Sequence, residues 1–150
     1  MKLAKYPLAS SDNFTTFEFT SEGTKGLIHK LVRFQQTNVK GVYNLAFGDK
    51  DNTTGDIDDE VVSNNGDSEK VLATVVATVY AFTDQYQNAW IYATGSTKAR
   101  TRLYRIGISK FLAEVKEDYE ILGERDGDWE VFKKNIEYDG FFVRRKRQKQ

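Results

Sequence analysis

Residues 88–112, NAWIYATGSTKARTRLYRIGISKFL, decide the fold class, because two periodicities meet inside them. NAWIYAT is short and nearly all apolar, the pattern of a buried strand. Thr94-Gly95-Ser96-Thr97 interrupts it. Beyond the break, apolar residues recur at helical spacing to about Tyr119, and Ser96 or Thr97 supplies the cap that opens the helix. A strand, a tight turn and a helix, set among segments that read mostly as strands, predict an α+β fold.

Outward from there the chain reads in thirds. FTTFEFT (14–20) and LIHKLVRFQ (27–35) are rich in aromatic and β-branched residues, and SEGTKG between them carries two glycines where a hairpin reverses. GVYNLAFGD (41–49) adds a third strand, with Tyr43, Leu45 and Phe47 on one face, so the first third predicts an antiparallel meander. An acidic loop covers 49–66, with a short strand at 57–63. Asp67 then caps a helix whose apolar positions are Val71, Leu72, Val75, Val76, Val79 and Tyr80. After the second helix, EILGE, DWEVFKK and GFFVRRK read as antiparallel strands separated by turns. Two helices flanking a short strand in one domain, residues 1–150, is the predicted organisation.

At 150 residues the chain can bury one core. It has no cysteine, which excludes disulfides, thiol chemistry and cysteine-ligated metals. No signal-peptide core and no run of about 20 apolar residues is present, so a cytoplasmic protein with no membrane partner is the expectation. Net charge is zero but unevenly placed. Residues 49–69 hold eight acids and one lysine, whereas the basic tail 144–150 holds five cations and no acid.

The cations of the opening stretch are the leading functional signal. On a helical wheel Lys98, Arg102, Arg105, Ser109 and Lys116 share one stripe. Ala99, Leu103 and Ile106 flank it on one side, and Tyr104, Ile108, Phe111 and Val115 on the other, which predicts a sandwiched helix exposing only the stripe. Arg100 falls between the apolar clusters and needs a carboxylate, a carbonyl or an anion. A helix start offers free amide hydrogens, Gly95 permits close approach, and Ser96 and Thr97 add hydroxyls. Lys98 and Arg100 in a first turn oppose the helix dipole unless a negative group sits beside them. Gly95, Ser96, Thr97, Lys98, Arg100, Arg102 and Arg105 therefore form the candidate ligand site, and a carboxylate from the acidic loop is the competing occupant.

Other candidates are weaker. Asp49, Asp51 and Glu60 stand at the first, third and twelfth positions of an EF-hand loop, but Gly55 comes one residue late, so no metal is expected and a solvated loop is favoured. His29, the lone histidine, lies on a strand. Asn64 and Asn65 suit turn chemistry.

YNLAFGD, SNNGDSEKVLATV, YATGSTKARTRLYR and WEVFKKNIEYDGFFVRRK together resemble a domain-of-unknown-function family of about this length, found mostly in Bacteroidetes. The resemblance implies no activity and directs attention to 95–104. The chain is also similar in composition to small bacterial toxin ribonucleases, which cleave RNA with Arg, Lys and Tyr. The function read from these residues is binding of a phosphate-bearing ligand, a nucleotide or RNA, at the start of the second helix, without a cofactor. The alternatives are a metal-independent ribonuclease using Tyr104 or His29, and a protein-interaction module or homodimer in which acidic loop and basic tail meet.

Overall fold

The computed structural model describes residues 4–58, 64–94 and 98–146, with the side chain of Arg100 also outside the description. In chain order the elements are β1 (Ala9–Ser10), β2 (Thr16–Gly23), β3 (Gly26–Gln36), β4 (Val42–Lys50), β5 (Ile57–Asp58), α1 (Ser68–Gln85), β6 (Trp90–Ala93), α2 (Lys98–Val115), β7 (Tyr119–Arg125), β8 (Asp128–Val131) and β9 (Gly140–Arg145). The strands join in the order β1-β2-β3-β4-β6-β9-β7-β8, with β5 on β4. This is the predicted α+β fold with its amino-terminal meander. Two features were not read from the sequence. One is β1; the other is the parallel pairing of β4 with β6, which needs a crossover connection, here the segment containing α1. By contacts the chain forms two compact units, Met1–Phe34 with Ala46–Gln85 and Gln35–Leu45 with Tyr86–Gln150.

In the first unit, the β2–β3 register places Phe17 opposite Val32 and Phe19 opposite Lys30 on one face. Phe34 joins this face and stacks on Phe82 of α1 at 4.2 Å. The opposite face is mostly polar: Thr16, Glu18, Thr20 and Glu22 stand across from Arg33, Leu31, His29 and Leu27, with Leu31 its buried apolar member. The core face of α1 differs from the valine-rich prediction. Thr74, Thr78 and Thr83 are buried, while Val76, Val79 and Tyr80 are half-buried. Each threonine hydroxyl donates to a carbonyl of the preceding turn, for example Thr74 to Lys70 at 2.7 Å, so its burial leaves no orphan donor.

Asp67 caps α1 through its carbonyl, which accepts from the Val71 amide at 3.0 Å. Its carboxylate has a second use. One oxygen accepts from the Tyr6 and Ser21 hydroxyls, each at 2.5 Å. Beside it, the buried Asn65 clasps the β2–β3 hairpin: its Oδ1 accepts from the Lys25 amide at 2.6 Å, its Nδ2 donates to the Gly26 carbonyl at 2.9 Å, and its own carbonyl accepts from the Thr24 amide at 3.0 Å. Gly23 is required here, because a Cβ would lie 1.8 Å from the Asn65 carbonyl oxygen.

The acidic loop also begins later than predicted. Asp49 and Lys50 belong to β4, and Asp49 is buried against Lys30 with Oδ1 to Nζ at 2.5 Å. A lysine on the core face of β3 demands a carboxylate, since a lone buried charge is costly. Asp51 then shapes a tight β4–β5 turn by accepting from the Thr53 and Thr54 amides. The expected short strand is observed at Ile57–Asp58, and residues 59–63 lie outside the description.

In the second unit, β9 lies between β6 and β7 and pairs antiparallel with both. Ile91, Ala93, Ile121 and Phe141 are buried on the face shared with α2. Helix α2 ends at Val115 rather than near Tyr119, because Tyr119 opens β7. It buries Tyr104, Gly107, Phe111 and Val115 along one stripe. The predicted sandwich is corrected: Ala99 is exposed and Ile106 is 44% exposed, so only one side of α2 is covered. The helix needs only one apolar face because a single sheet lies against it.

Substituting Asn65→Ala removes the partners of the Lys25 amide and Gly26 carbonyl together. A loss of about 2–4 kcal/mol in unfolding free energy is expected from urea denaturation, whereas Asn64→Ala, at an exposed turn, should cost under about 1 kcal/mol.

Candidate functional site

A depression of about 580 Å³ opens beside α2 in the second unit. One wall is the helix, with Lys98, Arg102 and Arg105 on successive turns. The sequence stripe is real at these positions. The other wall comes from the end of β7 and the turn after it, with Arg125 and Asp126, and from the turn before β9, with Glu137, Tyr138 and Asp139. Thr94 and Thr101 complete the lining.

The second wall is held from beneath. Tyr138 is buried with its ring against Gly123 of β7, where a Cβ would stand 2.5 Å from the ring. Its hydroxyl donates to Glu130 Oε2 at 3.0 Å and accepts from the Lys133 amide at 3.1 Å. Arg125 is tied to the other Glu130 oxygen at 2.9 Å. Thr94 Oγ1 donates to the Asp139 carbonyl at 2.9 Å, which fixes the end of β6 to the start of β9. No sequence motif announced Glu137, Tyr138 and Asp139 as site residues. NIEYDG reads as a turn, and only the β9 pairing brings it to α2.

Charge separates the walls. Arg33, Arg125 and Arg144 each pair with a carboxylate. Among the described residues, no ion pair engages Lys98, Arg102 or Arg105, although Asp126, Glu137 and Asp139 line the same hollow. The depression therefore presents cations on one side and carboxylates on the other, open to solvent between.

The remaining candidates are dispersed. Gly95, Ser96 and Thr97 lie outside the described residues, as does the Arg100 side chain. Tyr104 is buried on the core side of α2 and does not line the depression. His29 belongs to the first unit, exposed on β3 with Nδ1 3.0 Å from Thr20 Oγ1. Asp49 is held by Lys30, Asp51 by turn amides, and Glu60 lies outside the description. Among the described residues no three potential metal ligands gather. Of the basic tail, Arg144 and Arg145 belong to β9, and Lys146 Nζ donates to the Lys116 carbonyl at 2.7 Å. Residues 147–150 lie outside the description.

The fold and this hollow define an α+β protein with an open, bipolar surface depression on its second unit. The chain belongs to a family of unknown function (DUF6934), which it matches over residues 2–146. That agrees with the domain-of-unknown-function resemblance read from its motifs. No curated protein and no solved structure matches the chain. No helix among the described residues is long and apolar enough to cross a membrane.

Tyr6, Tyr92 and Tyr138 titrate above the ordinary tyrosine range. Burial raises Tyr6, Tyr92 and Tyr138, and nearby carboxylates of Asp67, Glu124 and Glu130 add to it by opposing a phenolate. A group whose folded pKa is raised contributes stability below its unfolded pKa and loses it as pH climbs through the folded one. Melting temperature should therefore fall as pH rises above about 10, the unfolded tyrosine value. The fall should be shallower in Tyr92→Phe, as followed by circular dichroism.

Proposed function

We propose that the depression beside α2 binds a small phosphate-bearing molecule of the nucleotide class. The supporting observation is that Lys98, Arg102 and Arg105 face open space without an ion pair to any described residue. Cations placed together repel one another, and an anionic group between them relieves that cost while accepting charge-assisted hydrogen bonds. The volume of about 580 Å³ lies within the range of small-ligand sites.

The acidic wall favours a compact ligand over a polymer. A phosphate backbone following the hollow from α2 would run against Asp126, Glu137 and Asp139, whereas a single phosphate leaves those carboxylates to accept from hydroxyl or amino groups. RNA remains the competing ligand. Of the residues offered for the ribonuclease alternative, Tyr104 does not line the hollow.

Titration calorimetry with AMP and with a short oligo(U) RNA tests the reading. Arg102→Ala should weaken AMP binding by about tenfold or more and flatten its salt dependence, with AMP favoured over the RNA per site. Equal curves for wild type and Arg102→Ala, or no AMP binding at all, would overturn it.

A further inference from the structure

The face of the second unit's sheet that lies away from α2 is aromatic, and the register shows why. Trp90 and Tyr92 of β6 stand beside Arg144 and Phe142 of β9, and Phe142 beside Leu122 of β7. Leu122 in turn faces Val131 of β8, and Glu124 faces Trp129. The rings touch in a row: Trp90 to Phe142 at 5.8 Å, Tyr92 to Phe142 at 5.1 Å and Trp129 to Phe142 at 4.4 Å. Trp129 is 38% and Val131 70% exposed. In the first unit the face away from its helix is mostly Thr, Glu, His and Arg, which water suits. An antiparallel sheet with one solvated face alternates apolar and polar residues, but β6, β8 and β9 are apolar on both faces or carry their largest apolar residues outward.

We propose that this face docks on the same face of a second copy of the chain, forming an isologous dimer by sheet-on-sheet packing. Charge selects the occupant. The patch carries Glu120, Glu124 and Arg144, both signs on adjoining strands and nearly balanced. Arg144 stacks on Trp90 at 4.5 Å and pairs with Glu120 at 3.2 Å. Such a surface gives a polyanion no net attraction. Against itself, it sets Arg144 of one copy near Glu120 or Glu124 of the other around an aromatic centre, the anatomy of a specific interface. Trp, Tyr and Arg are the residue types that dominate such contacts. The edge strand β8, only four residues long, leaves Val131 at the margin where a second sheet can seat against it.

Sedimentation equilibrium on the full chain, from about 1 to 200 µM at low and high salt, tests this. A mass near twice 17.2 kDa that persists in high salt is expected, because apolar burial rather than charge drives the contact. Val131→Glu, at an exposed position that leaves the core intact, should raise the dimer dissociation constant about 30-fold or more. Arg144→Glu should do likewise. A wild-type chain monomeric at 200 µM would overturn the proposal, as would a dimer indifferent to both variants or one dissolved by salt alone. Oligo(U) binding that Val131→Glu abolishes would also overturn it, by assigning the face to RNA.

Discussion

Strand β9 is the constraint on which the second unit depends. It enters the sheet between β6 and β7 and pairs with both along nearly its whole length. That placement satisfies backbone groups on two edges at once, and it also sorts side chains. Phe141 goes to the buried face, and Phe142 and Arg144 to the open one. It brings the preceding turn, with Glu137, Tyr138 and Asp139, to the side of α2. Without this insertion there is neither a second wall to the depression nor a continuous row of rings on the far face.

The first unit solves a different problem, the burial of polar groups. Lys30 and Asp49 neutralise one another in the core, and Asn65 supplies hydrogen bonds to a hairpin whose turn would otherwise leave its amides to water. Asp67 adds its own cap to a pair of hydroxyls from β2 and the amino-terminal segment. These contacts link residues 19 to 61 positions apart. Those of Asn65 hold the segment before α1 to the tip of the β2–β3 hairpin, and they depend on Gly23 leaving room for the Asn65 carbonyl.

Function, in the proposed reading, comes from what the fold leaves unmatched. Ion pairs claim Arg33, Arg125 and Arg144, yet the three cations of the first turns of α2 line an open hollow. Their cost is electrostatic and so is the proposed remedy. The far face carries the other unmatched surface, which is apolar, and its remedy is burial.

The sequence by itself determined the element types, since periodicity and turn residues are local. Both helices, the meander and the carboxy-terminal strands stand close to where their patterns place them, and the stripe of Lys98, Arg102 and Arg105 follows from helical spacing alone. Local pattern carries no information on which segment lies beside which. The burial of Asp49, the threonine face of α1, the exposure of Ile106 and the acidic wall opposite the arginines were all decided by tertiary pairing. In each case the partner is distant in sequence, and the energy of placing a charge or an apolar surface depends on that partner rather than on its neighbours in the chain.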